Sequence, residues 1–400
     1  MTTVLPFDER WRRFEADCRD AGLAARAHAV ALDRDPEHIR GLLDLPMVQF
    51  QRFAPIPPEY RGGAYLFAGH RIEHLSIVEG LIAQEQMSYG DPGVILASPG
   101  PSLAGVAVRT LGDGAQRARF YEPLIAGPAW TCFGLTEPGK GSAATELETR
   151  LRPAPDGDGY LLEGTKRYVG NAAHAQIGVV FCRRAPGPWG IEAVLVDPAA
   201  PGVSAELLPT VGLTGARIGE LRFDAVRIAP EDLLGADRRP VRRGLLGAVA
   251  TLLRFRPGLA ATALGVTAAV VDYTRAERRR PGRAERDRLS EIEDRRLALR
   301  RIVYRVGDEI DHGRVNAHRI AAVKMRAARL VEDATLLAAE LLGPGSLLEH
   351  PWLDKTYRDV RALEFMEGVG DIHRLSVFQG VLRGGFFEAG IPAEPVELGA

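Results

Sequence analysis

Apolar and polar positions alternate along the chain in three successive patterns. In residues 7–124, helical runs such as GHRIEHLSIVEGLIAQEQM are separated by loops rich in proline and glycine such as APIPPEYRGG, which predicts a helical region. In residues 128–235, short β-prone runs such as IGVVFC and IEAVLV are separated by turn-forming segments such as APDGDG, which predicts a small antiparallel β-domain. After residue 237 the helical period returns. This order of helix, sheet and helix predicts an α+β multidomain protein.

The C-terminal part of the chain shows a regular helical pattern. From Ile320 onwards, apolar or small residues recur at intervals of three and four positions, at Val323, Ala327, Leu330, Ala334, Leu337 and Leu341. This spacing predicts long helices that pack as a bundle. We therefore expect an N-terminal α-helical domain at 1–126, a middle β-domain at 127–236 and a C-terminal helical bundle at 237–400.

Composition and charge exclude several classes of function. The 400 residues are 46% hydrophobic, which is enough to bury a large core. The 51 basic residues are balanced by 52 acidic ones, and the net charge of -1 gives no global positive field. The sequence therefore predicts no nucleic-acid partner.

Cysteine usage and hydropathy predict a cytoplasmic protein. The three cysteines, Cys18, Cys132 and Cys182, are too scattered for a disulfide framework and form no pair spaced for zinc, so we expect no metal site. The N-terminal segment has no apolar signal core. No uninterrupted apolar run reaches about 18 residues, so we also expect no membrane span.

The segment FGLTEPGKGSAATELET at 133–149 is the first candidate for chemistry. The motifs GxGxxG after a strand, GxxxxGK[ST], HExxH and GxSxG are all absent, which disfavours Rossmann dehydrogenases, nucleotide hydrolases, zinc peptidases and α/β-hydrolases. In 133–149, hydroxyl residues and glycines interrupt a strand, so backbone N–H groups can approach a polar ring or a phosphate. Taken alone, the same segment is more often a glycine-containing β-turn beside a buried strand.

Five separated segments together resemble the acyl-CoA dehydrogenase family over nearly the whole chain. In order they are EYRGG at 59–63, FGLTEPGKGS at 133–142, LEGTKRYVGNAAHA at 162–175, ELRFDAVRIAPEDLLG at 220–235 and DKTYRDVRALEFMEGVGDIHR at 354–374. The resemblance implies a helical domain, a β-barrel or sandwich and a four-helix bundle. It also implies FAD as cofactor and the oxidation of a saturated acyl thioester to an enoyl thioester.

The resemblance also assigns residues to the cofactor. The backbone near Leu135 and Thr136 is expected at the pyrimidine edge of the isoalloxazine, Ser142 at the pyrophosphate and Tyr168 against the ring. A flavin needs donors near N1 and O2 and an apolar wall, so these roles are chemically sensible. The full set of implied FAD positions is Phe133, Leu135, Thr136, Gly141, Ser142, Tyr168 and Gly170, with Arg278 and Gly343 expected at the FAD of a neighbouring subunit.

Glu367 matches the catalytic base of the larger branch of the family. Removing an α-proton from a thioester needs a carboxylate whose pKa an apolar pocket raises toward the working pH. A smaller branch carries its base just before the arginine of the motif RPxxAAxAxG, where this chain has Phe255, so Glu367 is the only matching candidate. Glu364 would share its helix face if the helix continued, and it serves as a control. The implied substrate-binding positions are Ser98, Arg256, Met366 and Gly368.

Some positions depart from the family pattern. Gly170 replaces a Thr or Ser expected at flavin N5, Val369 and Gly370 replace Thr and Ser after the EG pair, and the segments RRRPG at 278–282 and ELLGPG at 340–345 match poorly. The flavin-ring site is therefore matched better than the adenine end. The prolines of SPGPSLAG at 98–105 should interrupt a helix at the acyl pocket, unless the segment is a loop without bearing on specificity.

The sequence thus predicts an FAD-dependent dehydrogenase for a short or medium acyl group, straight or branched, on CoA or on an acyl carrier protein (ACP). We expect electron-transfer flavoprotein or another electron acceptor as redox partner, and a homo-oligomer, either dimer or tetramer. Two alternatives stay open. One is a related flavin oxidase or monooxygenase, and the other is a non-catalytic scaffold that keeps the fold.

Overall fold

The computed structural model describes residues 9–141, 143–239 and 243–386. The chain begins with helices that surround a short β-hairpin. The helices are α1 (Glu9–Arg26), α2 (Ala29–Arg34), α3 (Pro46–Phe53), α4 (Pro58–Arg61), α5 (Ile77–Gly90), α6 (Pro92–Ala97), α7 (Ser102–Leu111) and α8 (Gly114–Ala126), and the hairpin is β1 (Tyr65–Phe67) with β2 (His70–Ile72).

Local sequence explains where several of these helices begin and end. Ser76 and Asp113 form capping boxes at the starts of α5 and α8, and the Asp91 side chain caps α6. Helix α6 ends at Ala97 and α7 begins at Ser102, so the proline-rich segment 98–101 does interrupt the helix, as predicted.

The early loop that contains EYRGG is held together by one arginine. The Arg61 guanidinium donates hydrogen bonds to five main-chain carbonyls, those of Phe53, Ala54, Gly63, Ile72 and Glu73. A planar group with five donors suits this purpose because it can satisfy carbonyls from several segments at once. Arg61 therefore joins the end of α3 to the hairpin.

One eight-stranded sheet forms the middle of the chain. Its strands are β3 (Trp130–Gly134), β4 (Arg150–Pro153), β5 (Tyr160–Val169), β6 (Ala175–Arg183), β7 (Ile191–Val196), β8 (Val203–Leu207), β9 (Gly219–Ile228) and β10 (Leu233–Leu234). The strand order is β10-β7-β6-β4-β5-β9-β8, with β3 paired to β6. Most pairs are antiparallel, as predicted, while β3 and β4 both run parallel to β6.

Strands β6 and β7 are buried on both faces. Alternate residues such as Phe181 and Ala193 face a core shared with α7 and α8, while Val180 and Val194 face a second core inside the β-domain. This double burial explains why IGVVFC and IEAVLV read as continuous apolar runs rather than as an apolar and polar alternation.

The C-terminal helices are α9 (Gly244–Glu277), α10 (Arg283–Asp311), α11 (Ala317–Leu342), α12 (Ser346–Glu349), α13 (Pro351–Asp359), α14 (Ala362–Phe365) and α15 (Gly370–Leu382). Helices α9, α10, α11 and α15 pack together, and α9 also packs on α5. All six periodic positions that the sequence singled out in α11 are buried, which confirms that prediction. Within the described part of the chain, no helix is long and apolar enough to cross a membrane, and no group of three or more His, Cys, Asp or Glu could hold a metal.

A buried ion triad connects the three parts of the molecule. Lys355 of α13 lies 2.6 Å from an Asp91 oxygen and 2.5 Å from an Asp359 oxygen, and each of the three side chains is at most 2% exposed. Asp91 caps α6, and Asp359 accepts a hydrogen bond from the Leu213 N–H of the β-domain. Burial alone would lower the pKa of Lys355, but the two carboxylates outweigh it and raise that pKa.

We predict that Lys355→Met strongly destabilises the protein. The substitution leaves two carboxylates buried without their cation, which typically costs about 3–5 kcal/mol of unfolding free energy. The midpoint of urea unfolding measures the effect. Arg71→Met is the control, because the Arg71 and Glu73 side chains are 68% and 64% exposed and their pairing contributes little. Equal midpoints for the two variants would contradict the prediction.

Candidate active site

Glu367 lies in a short loop between α14 and α15. Its φ of 57° and the φ of 106° at the following Gly368 both fall in the left-handed region. A left-handed conformation is unfavourable for a glutamate, and such strain is found most often at functional sites. A side chain at position 368 would add to that strain, because its Cβ would lie 3.3 Å from His373 Nε2 and 3.4 Å from Arg256 Nη2.

A partly buried arginine and a buried lysine hold this loop from neighbouring helices. Arg256 of α9 donates from Nε to the Glu367 carbonyl over 2.8 Å. Lys324 of α11, whose side chain is almost fully buried, donates from Nζ to the carbonyls of Glu364 at 2.8 Å and Gly368 at 2.7 Å. Because charge-assisted hydrogen bonds are strong, they can stabilise the strained backbone.

Glu364 has a structural contact rather than a place beside the candidate base. Helix α14 ends at Phe365, so the condition under which Glu364 would share a helix face with Glu367 is not met. The Glu364 carboxylate instead accepts a hydrogen bond of 2.8 Å from the Gly370 N–H at the start of α15. An acceptor at a helix N-terminus stabilises the helix, so Glu364 helps to fix the far end of the loop.

The electrostatics of the loop favour a carboxyl that can exchange a proton near neutral pH. Burial raises the pKa of Glu367 to about 7, against the opposing charges of Arg256 and Lys324. Burial also lowers the pKa of Lys324 to about 8 and lowers that of Arg256. A carboxyl with such a pKa can act as a general base at physiological pH.

Lys324 and His373 were not found by sequence reasoning. His373 is buried, its Nε2 has no hydrogen-bond partner among the described residues, and burial lowers its pKa to about 4. Lys324 lies on the apolar face of α11, and a lysine at such a position is a sequence signal for a buried, paired cation. The lysine and histidine reach the loop only because α11 and α15 pack against each other.

The other expected substrate positions differ in their surroundings. Met366, next to Glu367, is a partly buried apolar side chain packed on the main core. Ser98 ends α6, and its Oγ donates to the Val94 carbonyl over 2.7 Å. Arg256, Met366, Glu367 and Gly368 are thus brought together, while the Ser98 hydroxyl is already engaged by its own helix.

The segment that follows β3 presents backbone groups. The Leu135 carbonyl accepts from Lys166 Nζ, and the Thr136 carbonyl accepts from the Arg167 N–H. The Thr136 N–H has no partner among the described residues. Glu137 stabilises this segment, because its carboxylate accepts hydrogen bonds from Lys166 Nζ and from the backbone N–H groups of residues 148 and 149.

Tyr168 projects from a bulge near the end of β5. The register between β5 and β9 shifts at this residue, its φ is 61°, and its side chain is 63% exposed. Bulges often re-aim side chains at active sites. At nearby Gly170 a side chain would have space, since an added Cβ would meet nothing closer than 3.9 Å. Asn171 has a buried Oδ1 that finds no hydrogen-bond partner in the described part of the chain.

The remaining expected cofactor positions are less closely connected to the loop. Phe133 packs against Phe181, with ring centroids 5.3 Å apart. Gly141 is exposed, and Ser142 lies outside the described residues. Arg278 follows α9 and pairs with Glu285 at 2.8 Å, while Gly343 ends α11. No contact joins Arg278 or Gly343 to the loop of Glu367 within the described chain.

Two family models match most of the β-domain and the C-terminal helices. The first describes an acyl-CoA dehydrogenase middle domain and matches residues 132–226, and the second describes an acyl-CoA dehydrogenase C-terminal domain and matches residues 242–382. The chain is also 30% identical over 387 residues to the short-chain specific mitochondrial acyl-CoA dehydrogenase of Homo sapiens, over 92% of this chain and 88% of that relative.

Solved structures share the fold at lower identity. A complex of glutaryl-coenzyme A dehydrogenase with glutaryl-CoA matches with a TM-score of 0.82 and 21% identity, over 97% of this chain and 98% of the other. The prolyl acyl carrier protein oxidase AnaB matches with a TM-score of 0.81 and 20% identity, over 94% and 99% of the two chains. These likenesses confirm the predicted arrangement of helical, β and helical regions.

We predict that the Glu367 carboxyl titrates near pH 7, being protonated below that pH and ionised above it. An exposed glutamate titrates at about 4.3. Carbon-13 NMR of protein with labelled glutamate carboxyls measures the midpoint, and Glu367→Gln identifies the resonance by removing it. Glu364→Gln is the control and should leave the midpoint in place. A Glu367 midpoint below about 5 would contradict the prediction.

Proposed function

Because this chain belongs to the acyl-CoA dehydrogenase family of FAD-dependent oxidoreductases acting on acyl thioesters, we propose that Glu367 is the base that deprotonates the substrate α-carbon. The observation that carries this proposal is the loop geometry. The carboxyl whose pKa burial raises to about 7 lies in a strained loop, and Arg256 and Lys324 fix the carbonyls of Glu367 and of Gly368. Glu367 is thus both positioned and tuned to accept a proton.

The described residues fit a flavin. Thr136 offers an unpaired N–H, Asn171 offers a buried acceptor without a partner, and Tyr168 offers an exposed aromatic face. We propose that these three residues hold the isoalloxazine, together with the backbone at Leu135. When bound, FAD supplies the acceptor for the hydride that leaves the β-carbon.

The loop backbone has a second role in this proposal. The Glu367 N–H has no partner among the described residues, so it can donate to the thioester carbonyl as negative charge develops there. Arg256 donates a hydrogen bond to the Glu367 carbonyl and thereby places a positive charge beside Glu367. Met366 contributes apolar surface next to the reacting carbons, and Gly368 leaves space for them.

The acyl group is proposed to be short or medium, straight or branched, on a phosphopantetheine arm. The interrupted helix at 98–101 leaves less room for a long straight chain than a continuous helix would. The arginine-rich stretch at 278–301 could attract either the acidic surface of a carrier protein or the phosphates of CoA. Since it also forms ion pairs, such as those of Arg288 with Glu340 and of Arg295 with Asp333, we propose no preference for one carrier. CoA and an acyl carrier protein share the arm that this proposal requires.

Electrons are proposed to pass to electron-transfer flavoprotein or another acceptor. A homo-oligomer is proposed because the family resemblance places Arg278 and Gly343 at the FAD of a neighbouring subunit. Helix α15 supports an oligomer, since it leaves a series of apolar side chains exposed, namely Ile372, Leu375, Phe378, Val381 and Leu382.

We predict that Glu367→Gln slows anaerobic flavin reduction by a short acyl-CoA at least about a hundredfold. The amide keeps the shape of the side chain but cannot accept the proton. Stopped-flow absorbance measures the rate, and substrate binding should persist. Glu364→Gln is the matched control, because the amide oxygen can still accept from the Gly370 N–H. Near-normal reduction in the Glu367 variant would show that another group is the base.

We predict that the flavin-loaded protein is a homodimer or a tetramer at micromolar concentration. Association would cover the apolar face of α15 and bring Arg278 and Gly343 of one subunit to the FAD of another. Light scattering coupled to size-exclusion chromatography measures the mass. A stable, active monomer that retains FAD would contradict the prediction.

A further inference from the structure

One face of α9 leads from the catalytic loop toward the helices of the N-terminal region. Phe255, Gly258 and Thr262 are spaced by three and four residues, so they share a helix face. Phe255 precedes Arg256, which holds the loop, and Thr262 lies six residues further, about 9 Å along the axis. An acyl chain bound beside Glu367 and running parallel to the α9 axis would come level with Thr262 over this distance.

Gln84 of α5 meets this face, and Gln51 of α3 in turn contacts Gln84. Gln84 of α5 approaches Gly258, where an added Cβ would lie 3.9 Å from Gln84 Cγ. Thr262 Oγ1 donates to Gln84 Oε1 at 3.5 Å, and Gln84 Nε2 donates to Gln51 Oε1 at 3.4 Å. The three side chains therefore form one cluster, which we name the polar floor.

The hydrogen bonds inside the polar floor are long. Both contacts of Gln84 lie at or beyond 3.4 Å, where a good amide hydrogen bond is near 2.9 Å. Among the described residues, Gln51 Nε2 has only the sulfur of Met87 as partner, at 3.7 Å. Amide groups in such contacts keep donor and acceptor capacity that another group could use.

The polar floor also keeps accessible surface in otherwise buried surroundings. In the α5 stretch 81–88, every residue except Gln84 is buried, and Gln51 is likewise only partly buried. The Gln51 carbonyl lies against Gly100, where an added Cβ would be 2.6 Å away. Gly100 belongs to the interrupted segment 98–101, so the polar floor borders the segment expected at the acyl pocket.

From these contacts we propose that the polar floor binds a neutral hydrogen-bonding group near the far end of the acyl chain, such as a hydroxyl or a carboxamide. This inference rests on the proposed acyl-thioester oxidation and names its substrate class. Gln84 and Gln51 donate to and accept from that group, and Thr262 completes the cluster. No charged side chain hydrogen-bonds any of the three among the described residues, so a terminal carboxylate is a poor ligand here.

The test compares three thioesters of similar length, hexanoyl-CoA, 5-hydroxypentanoyl-CoA and glutaryl-CoA. The first two differ by a terminal methyl against a hydroxyl. With the flavin-loaded protein and ferrocenium as acceptor, kcat/KM should favour the hydroxyl compound over hexanoyl-CoA by about fivefold, as expected for one neutral hydrogen bond. Glutaryl-CoA should be the poorest of the three.

Variants of the polar floor test whether its residues cause the preference for the hydroxyl compound. Gln84→Met should reverse the ratio in favour of hexanoyl-CoA, and Thr262→Val should move it in the same direction. Gln49→Met is the matched control on α3, because the Gln49 amide donates to the Leu43 carbonyl and takes no part in the cluster. Equilibrium binding to Glu367→Gln protein should show the same order of affinities without turnover.

The outcomes separate this inference from the proposed function. If neither hexanoyl-CoA nor the hydroxyl compound reduces the flavin, the proposed oxidation itself fails. If both are oxidised and hexanoyl-CoA is equal or better in the unmodified protein, only the polar floor is rejected. A hydroxyl preference that survives in both Gln84→Met and Thr262→Val, or a preference for glutaryl-CoA, would also overturn the inference.

Discussion

The buried contact of Lys355 with two aspartates is the constraint on which the rest of the structure depends. A cation excluded from water is tolerated only when carboxylates meet it, and here those carboxylates come from the cap of α6 and from the end of α13. Asp359 also holds the Leu213 N–H of the β-domain. The triad therefore fixes the relative positions of three regions whose residues must converge on one site. The loop of Glu367 begins only a few residues after Asp359.

That loop shows how strain and support are combined. Glu367 occupies a left-handed backbone conformation that its side chain disfavours, and three neighbouring groups compensate for it. Arg256 and Lys324 bind carbonyls of the loop, and Glu364 binds the N–H that begins α15. The same burial that makes these hydrogen bonds strong also raises the pKa of Glu367 to about 7. Burial thus accounts both for the fixed position of Glu367 and for its raised proton affinity.

The two sides of the site differ in how they are built. On the β-domain side, backbone groups and the bulge at Tyr168 face outward, which suits a flat aromatic cofactor. On the helical side, α9 provides a face that runs from Phe255 to Thr262 and ends at amides with long hydrogen bonds. Chemistry common to a family would require the β-domain side and the Glu367 loop. The polar floor would determine which acyl group this chain accepts.

The sequence by itself determined the order of helical, β and helical regions, because periodicity reports which faces are buried, and five motifs identified the family. It also indicated Glu367, and the prolines that interrupt the helix at 98–101. Only the tertiary structure decided the surroundings of Glu367. Lys324, Arg256 and His373 lie on three separate helices, and nothing local in the sequence relates them. Packing also decided the contact of Glu364: because α14 ends before Glu367, the Glu364 carboxylate binds the N–H that begins α15. Burial, strain and proximity across more than a hundred residues arise only when the chain is packed.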